Sequence, residues 1–290
     1  MLRTPLVRLD DRIWLKLECL QPIGSFKLRG ALSAVRAASA AELVDGVVTA
    51  SAGNMAQGVA WAAREAGVRA RVIAPVDAPR AKLDAVERLV GEIVPVTHEE
   101  WWQAMVERGR PGVEGLFVHP VEDEAVMAGN GTIGLELVED LADFDAVVVP
   151  WGGGGLTTGI ASAVKALRPG VRVVTAEPAT AAPLAAALRG GEPTEIEFHP
   201  SFVDGAGGRA LLPTMWDRAR GLVDEAVTVP LDDVADAMRV LASRVRVVAE
   251  GAGALALAAA KRRDDRCICI VSGGNVDAAV LARVLLGETP

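Results

Sequence analysis

The chain has 290 residues, of which 51% are apolar, and its formal net charge is −8. This length is enough for two modest domains, and no apolar run is long enough to span a bilayer. Because the charge is negative and the basic residues are dispersed, we expect small-molecule partners rather than nucleic acid or a membrane surface. Three cysteines, an odd number, fit a reducing cytoplasm better than a disulfide framework.

The first predicted elements surround a lysine. Residues 13–18 alternate apolar and polar side chains as a half-buried strand does, and Ser25 is a good N-cap for a helix over 26–38. Lys27 therefore lies in the first turn of that helix, where the helix dipole and desolvation beside Phe26 favour a neutral amine. A neutral amine can react with a carbonyl cofactor. On this segment alone, a lysine that extends into solvent is the alternative interpretation.

Residues 46–119 repeat a unit of strand, loop and helix. The sequence predicts strands at 46–50, 70–74, 92–96 and 116–118, and helices over about 54–66, 81–90 and 99–107. Strands that alternate with helices imply right-handed crossovers and a parallel sheet. We therefore predict that 46–119 is a small α/β domain.

The rest of the chain alternates in the same way. It has predicted strands near 146–150, 171–176 and 267–271, and predicted helices after 155, around 179, from 232 and from 253. The larger domain is therefore predicted to be discontinuous, made of 1–45 and 120–290. We expect neither a secretory leader nor an appended regulatory domain. Ligands of open parallel sheets bind at the carboxyl ends of strands, which is where the glycine-rich segments fall.

Four consecutive glycines, Gly152 to Gly155, follow the strand at 146–150 and open a helix. Backbone N–H groups without side chains, together with the helix dipole, make a cradle for an anion such as a phosphate. One alternative is a flexible turn. Another is a nicotinamide-binding turn, because Glu177 lies at the end of the next strand, at a spacing that does not dismiss it.

Two further segments are glycine-rich. Residues 51–58, Ser-Ala-Gly-Asn-Met-Ala-Gln-Gly, open a helix whose N-terminal amides suit a carboxylate, with an ordinary capped helix as the alternative. Ser272 begins Ser-Gly-Gly-Asn after the last strand, where a plain turn is the alternative. The three histidines, His98, His119 and His199, lack metal-ligand spacing, and we interpret them as structural or surface residues. A single lysine could then serve both covalent chemistry and proton transfer.

Together these motifs resemble the fold type II pyridoxal-phosphate enzymes, in the branch of threonine/serine dehydratases (ammonia-lyases) and serine racemases. The motifs are S-F-K-x-R-G-A at 25–31, S-x-G-N-x-x-Q-G at 51–58, G-G-G-G-L at 152–156 and S-G-G-N at 272–275, and A-G-N-G-T at 128–132 is similar to the family's A-G-Q-G-T. They cover nearly the whole chain in the family's order. The resemblance implies two parallel-sheet domains of the tryptophan synthase β-like kind, pyridoxal 5'-phosphate in the cleft between them, and a homodimer.

The resemblance also implies a role for each motif residue. Lys27 would be the catalytic residue, linked covalently to the cofactor. The remaining implied cofactor-binding residues are Asn54, Gly152, Gly153, Gly154, Gly155, Leu156 and Ser272. The implied substrate-binding residues are Ser51, Gly53, Asn54, Gln57, Asp204 and Gly205.

The chain departs from the family pattern at two places. Met55 stands where the family has a histidine after Ser-x-Gly-Asn, which affects how the substrate carboxylate is bound. The family's cation site takes a glutamate, a backbone carbonyl and an aspartate. Glu177 and Ala181 match the first two, but Pro183 stands in place of the aspartate, so we expect no metal.

The reaction implied by the resemblance is β-elimination, in which a β-hydroxy amino acid such as L-threonine or L-serine gives a 2-oxo acid and ammonia. The alternatives are a racemase or a β-replacement enzyme of the same fold, or, from a different class, a nucleotide-binding redox protein. If Trp101 or Trp102 lies at the pocket rim, an apolar or aromatic β-substituent is preferred. Packing within an amphipathic helix is the alternative for both tryptophans.

Ala52 bears on racemisation. In serine racemases the residue directly before Gly-Asn of this loop is a serine, which by resemblance supplies the second proton donor. Here that residue is Ala52, whose side chain is a methyl group. Neighbouring side chains point in different directions, so Ser51 is not expected to reach the same place. We therefore predict dehydration of one enantiomer, L, with negligible racemisation.

Overall fold

The computed structural model describes residues 1–89 and 91–290. Within those ranges the strands are β1 (Leu6–Arg8), β2 (Ile13–Lys16), β3 (Val47–Ala50), β4 (Ala70–Pro75), β5 (Gly91–Val96), β6 (Leu116–Phe117), β7 (Ala146–Pro150), β8 (Arg172–Pro178), β9 (Glu225–Val229) and β10 (Cys267–Ile270). The α-helices are α1 (Lys27–Ala37), α2 (Asn54–Ala66), α3 (Arg80–Glu87), α4 (His98–Glu107), α5 (Glu124–Asp140), α6 (Gly155–Leu167), α7 (Pro183–Gly190), α8 (Pro213–Ala219), α9 (Leu231–Val240), α10 (Gly251–Ala260) and α11 (Ala278–Leu285).

The chain divides into two compact units. The first unit contains Phe26–Asn130 together with Met1. Its sheet has the strand order β5-β4-β3-β6, and all three pairings are parallel. Val48 and Ala50 of β3 and Ile73 of β4 form a buried apolar cluster with residues of β5 and α4. Parallel strands of this kind are covered on their faces by the helices that connect them.

The second unit contains Leu2–Ser25 and Gly131–Pro290. Its sheet has the order β1-β2-β10-β7-β8-β9, in which only the edge strand β1 runs antiparallel to its neighbour. Every residue of β7 and β10 is buried, as their continuous apolar sequences require. All ten residues of α10 are buried as well, because this helix is apolar on every side.

The structure confirms the predicted α/β class with parallel sheets. The four predicted strands of 46–119 form the first unit's sheet, and β7, β8 and β10 lie where the sequence predicts them. The predicted helix around 179 is wrong in position, since α7 begins at Pro183. The predicted end of one helix at Val90 lies outside the described residues. Helix α1 lies in the first unit, whereas our division of the sequence at residue 46 assigns it to the larger domain.

Several elements were absent from the sequence prediction. They are β1, β9, α5, α8 and α11. Helix α5 was missed because it contains three glycines, which lower helix propensity. The structure shows what these glycines allow: a β-carbon at Gly129 would collide with the carbonyl of Arg29, and one at Gly134 would lie 2.8 Å from the carbonyl of Ile160. Close packing of α5 against α1 in the first unit and against α6 in the second therefore offsets the poor propensity.

In the described part of the chain, no helix is both long enough and apolar enough to cross a membrane. Cys19, Cys267 and Cys269 are all buried free thiols. Desolvation raises the pKa of each of these thiols, so they behave as core residues.

Candidate active site

Lys27 is the first residue of α1, as the sequence predicts, but Ser25 does not cap the helix. The N-cap position is Phe26, whose backbone is already helical and whose side chain makes no capping hydrogen bond. Ser25 forms instead an isolated antiparallel bridge with Gly273 of the second unit's last strand–loop junction. Its hydroxyl is buried and has no hydrogen-bond partner in the described structure. The N-cap prediction is therefore wrong, because the backbone of Ser25 is held by this bridge.

The amino group of Lys27 lies in an apolar environment. Its Nζ lies 5.2 Å from the centre of the Phe26 ring and donates one hydrogen bond, of 2.8 Å, to the carbonyl oxygen of Pro120. Desolvation lowers the pKa of this amine from its ordinary value to about 8. Roughly a tenth of the amine is therefore neutral at pH 7, far more than for an ordinary lysine, and the neutral form is the one that reacts with a carbonyl group.

Close helix packing fixes the backbone under Lys27. Gly58 of α2 faces α1 so closely that a β-carbon there would lie 3.0 Å from the carbonyl oxygen of Lys27 and 3.2 Å from Cβ of Ala31. A β-carbon at Gly30 would lie 2.7 Å from Val126. Close packing therefore explains one glycine in each of two motifs, Gly30 in the motif at 25–31 and Gly58 in the motif at 51–58.

The loop before α2 contains the predicted carboxylate-binding residues. Ser51 follows β3 directly, and its hydroxyl accepts a 3.2 Å hydrogen bond from the N–H of Gly53. The N-cap residue is Gly53, which has no side chain to cap α2. Apart from its chain neighbours and the helix backbone, no described atom lies within 4 Å of the place that a β-carbon would occupy on Gly53. The N-terminus of α2, which begins at Asn54, therefore has no side-chain cap, and a helix N-terminus favours an anion. Gln57, one turn further on, is buried.

The two tryptophans of α4 differ in exposure. Trp101 packs against the apolar cluster of the first unit, and its indole N–H is buried without a partner in the described structure. Trp102 is 51% exposed. Trp101 thus packs within the first unit, and a role of Trp101 or Trp102 at a pocket rim stays a prediction.

The glycine run of the second unit forms the start of α6. Gly154 has a φ of +97°, and a β-carbon there would lie 2.5 Å from the Trp151 ring. Only glycine fits this position. The N-cap residue of α6 supplies no side-chain acceptor, and the hydroxyls of Thr157 and Thr158 in its first turn are buried without partners in the described residues. Two hydroxyls without partners in the described residues thus lie at the N-terminus of α6, next to exposed Gly153 and buried Leu156.

The structure brings the other predicted residues of the second unit next to this run. Gly205, which follows Asp204 in an exposed loop, has its carbonyl 3.2 Å from where a β-carbon of Gly152 would lie. The carboxylate of Glu250 lies beside Gly205 and also directly against Gly273, where it leaves no room for a β-carbon. Ser272, before Gly273, is 3% exposed. Gly152 and Ser272 follow the carboxyl ends of β7 and β10, Gly205 lies against Gly152, and Glu250 lies beside Gly205 and Gly273.

Glu177 is committed to helix capping. It is fully buried at the end of β8, and its two carboxylate oxygens accept hydrogen bonds of 2.9 and 2.7 Å from the N–H groups of Leu184 and Ala185 in α7. Burial raises its pKa to about 7. In the described residues no group of three or more histidine, cysteine, aspartate or glutamate side chains is placed to hold a metal ion. Both oxygens of Glu177 thus already accept backbone hydrogen bonds and Pro183 has no side-chain oxygen, and the expected absence of a metal stays a prediction.

Three residues near these sites were missed from the sequence. Pro120 acts through a backbone carbonyl, for which a side-chain motif gives no signal. His119 was assigned only a structural or surface role. Glu250 could have been noticed as an acidic residue that precedes the wholly apolar α10, since a buried carboxylate at such a place needs a local reason.

These features fit pyridoxal phosphate. A desolvated lysine amine suits its aldehyde, and the α6 N-terminus, with two unpartnered hydroxyls, suits its phosphate. The chain belongs to the family of pyridoxal-phosphate-dependent enzymes, whose sequence model matches residues 1–273. The predicted family, fold class and cofactor are thereby confirmed.

Individual proteins of known kind are similar to this chain over most of its length. It is 38% identical to an L-threonine ammonia-lyase of Thermotoga maritima over 94% of this chain and 69% of that protein. It is 35% identical to a serine racemase of Oryza sativa subsp. indica, over 93% of this chain and 83% of that protein. The structure is similar to that of the processed form of threonine deaminase isoform 2 from Solanum lycopersicum, with a TM-score of 0.89 and 31% identity over 99% of this chain and 89% of that one.

Proposed function

We propose that this enzyme is a lyase that converts a β-hydroxy amino acid, such as L-threonine or L-serine, into a 2-oxo acid and ammonia, the water lost in β-elimination being returned in the hydrolysis that releases ammonia. The observation that carries the proposal is the desolvated amine of Lys27, whose pKa of about 8 suits both covalent attachment and proton transfer. The threonine ammonia-lyase and threonine deaminase relatives support the same chemistry. A homodimer and a cytoplasmic location are part of the proposal.

The predicted residues divide cofactor and substrate binding between them, and Asn54 takes part in both. The N–H groups of Gly152 to Gly155 and the adjoining Leu156 bind the cofactor phosphate, Asn54 hydrogen-bonds its ring hydroxyl, and Ser272 gives the ring nitrogen a neutral partner. When bound, the cofactor accepts the electron pair left at the substrate's α-carbon.

The substrate is held through its carboxylate. Ser51, Gly53 and Asn54 at the open start of α2, with Gln57 behind them, receive the carboxylate, and Asp204 and Gly205 lie near the side chain. The amine of Lys27 takes the α-proton. The C–O bond at the β-carbon then breaks, so that hydroxide leaves with a proton as water, and hydrolysis of the remaining C–N bond releases ammonia.

The neutral partner of the ring nitrogen favours elimination. A carboxylate opposite that nitrogen would hold a proton on it and would stabilise negative charge at the α-carbon for longer. The hydroxyl of Ser272 does not enforce this protonation. Loss of the β-hydroxyl therefore competes well with return of the α-proton.

The cofactor and the substrate can be tested separately. Purified protein should show the visible absorbance of lysine-bound pyridoxal phosphate, and Lys27→Ala should lose it. Formation of 2-oxo acid is then measured with L-serine, L-threonine, 3-hydroxyaspartate and phenylserine. Wild-type protein without the absorbance contradicts the role of Lys27, whereas absorbance without 2-oxo acid from any of the four contradicts the lyase proposal. Activity that appears only when a thiol is added indicates β-replacement.

Ala52 separates dehydration from racemisation within the same proposal. Elimination needs nothing from the methyl group of Ala52, whereas racemisation needs a proton donor on the face opposite Lys27. We expect Ala52→Ser to raise racemisation relative to ammonia release. Deuterium incorporation from heavy water, with chiral analysis of recovered substrate, measures both. If the wild-type enzyme forms the opposite enantiomer as fast as ammonia, another proton donor exists and this interpretation of Ala52 is wrong.

A further inference from the structure

The amine of Lys27 is held by a peptide carbonyl and not by an acid. Its Nζ donates to the carbonyl oxygen of Pro120 at 2.8 Å, and in the described structure no carboxylate forms an ion pair with it. A carboxylate at this position would favour the charged ammonium form of the lysine. A neutral carbonyl can orient the amine with much less stabilisation of the ammonium.

The peptide group that carries this carbonyl is also held by a hydrogen bond from its N–H. The peptide between Pro120 and Val121 is trans, so its N–H and its C=O point in opposite directions. The N–H of Val121 donates to Nδ1 of His119 at 3.2 Å, and the N–H of Glu122 donates to the same nitrogen at 2.8 Å. The imidazole thus sets the plane of the peptide whose carbonyl faces Lys27, and it polarises that carbonyl as an acceptor.

The histidine is itself held firmly. Its backbone N–H donates to Asp123 at 2.6 Å, and the preceding residue, Val118, is tied to β3 by bonds to Val48 and Thr49 of 2.7 and 2.9 Å. His119 is 2% exposed, and desolvation lowers its pKa. Because Nδ1 accepts two hydrogen bonds, the ring is neutral and carries its proton on Nε2, 3.4 Å from a carboxylate oxygen of Glu122.

We propose that the carbonyl oxygen of Pro120 aims the amine of Lys27 at the cofactor, and that His119 is the positioning residue that holds this carbonyl in place. One N–H of the amine is fixed on the carbonyl, so rotation about the terminal bonds of the lysine is restricted and the lone pair points away from Pro120. Restricted rotation of this kind keeps a nucleophile close to its attacking geometry. This inference rests on the proposed attachment of the cofactor to Lys27.

The test uses full-length apoprotein, from which the cofactor has been removed, and pyridoxal phosphate as the probe. The measured quantity is the rate of covalent capture at saturating cofactor, followed by absorbance. His119→Phe keeps a ring but removes the acceptor, and we expect capture about 10- to 100-fold slower. His119→Asn restores an acceptor for the N–H two residues on, as in an Asx-turn, and should stay within about threefold of wild type. The exposed His199→Leu is the matched control and should not change the rate.

A second measurement separates positioning from a general loss of structure. In a Lys27→Ala background, non-covalent affinity for pyridoxal phosphate should be the same with and without His119→Phe. Equal capture rates for wild type and folded His119→Phe overturn the inference, and so does an equal loss of rate and of non-covalent affinity. If His119→Phe does not fold, a folded His119→Asn with capture more than tenfold slower overturns it. Failure of wild-type protein to capture the cofactor at all would instead overturn the proposed role of Lys27.

Discussion

The N-termini of α6 and α7, which belong to the same unit, differ in whether a side chain of the protein accepts hydrogen bonds from their first N–H groups. Helix α6 follows β7 through glycines, with no side-chain cap and with two buried hydroxyls that lack partners in the described residues. Helix α7 follows β8, and Glu177 accepts hydrogen bonds from two of its first N–H groups. We call the start of α6 open because it has no side-chain cap, and the start of α7 closed because the protein's own carboxylate caps it.

The difference shows how an anion site is distinguished from an ordinary helix start. The first N–H groups of any helix need acceptors, and an internal carboxylate removes the need for an external one. At α6 the glycines remove side chains that could fill the place of a ligand. At α7 the burial of Glu177 raises the pKa of the capping carboxyl and so makes the cap sensitive to pH, and each of its oxygens already accepts a backbone hydrogen bond.

The largest expected effect comes from closing the open start. Gly154→Ala puts a β-carbon against the Trp151 ring at a φ of +97°, so we expect the free energy of unfolding to fall by about 2–4 kcal/mol. We also expect affinity for pyridoxal phosphate to fall about 100-fold, since the turn must move. Chemical denaturation and cofactor titration measure the two effects. Gly170→Ala, in an exposed turn with open space, is the control, and an equal effect there would contradict this account.

Opening the closed start should have the next largest effect. Glu177→Ala leaves the N–H groups of Leu184 and Ala185 without their acceptor, and we expect a loss of about 2–4 kcal/mol in the free energy of unfolding. Glu177→Gln keeps one carbonyl oxygen and should lose less. Denaturation of both variants in parallel makes the measurement. If Glu177→Gln loses as much as Glu177→Ala, hydrogen bonding to the cap is not what stabilises α7.

The cap should also give stability a pH dependence. The pKa of Glu177 is about 7 in the folded protein against an ordinary value of 4.5, so between these values the folded state binds more protons than the unfolded state. The contribution of Glu177 is therefore fully present below pH 4.5 and is lost as pH rises through 7. Relative to Glu177→Gln, wild type should lose about 2–3 kcal/mol between pH 4.5 and 8. A difference that is constant over this range would show that the carboxyl is not perturbed.

The smallest expected effect is that of divalent cations. Because both oxygens of Glu177 already accept backbone hydrogen bonds and Pro183 offers no carboxylate, Mg²⁺ or Ca²⁺ should leave the Tm of the holoenzyme unchanged. Thermal unfolding with each cation and with a chelator is the measurement. A rise in Tm of several degrees that depends on Glu177 would show that this carboxylate binds a metal ion in place of the backbone N–H groups of α7.

The sequence predicted the open start of α6 better than the closed start of α7. Four glycines after an apolar strand leave few interpretations, and the predicted strand and helix bounds there agree with the structure. The capping role of Glu177 joins residues seven and eight positions apart across a turn, which no local pattern encodes. The same limit applies to Pro120, which lies 93 residues from Lys27 and contributes only a backbone atom. Ser25 failed as a cap because its bridge to Gly273 depends on a distant segment.

The discontinuity of the second unit has a consequence during synthesis on the ribosome. Strand β2, at Ile13–Lys16, has β10, at Cys267–Ile270, as its inner neighbour in the sheet, so its inner edge stays unpaired until almost the whole chain has been made. At about 5–20 residues per second, that interval is roughly 10 to 50 s. The first unit, by contrast, is nearly contiguous and can fold as soon as residue 130 has emerged. During this interval the nascent chain carries an apolar strand edge, and a chaperone that covers Ile13–Lys16 would protect it from pairing with other chains.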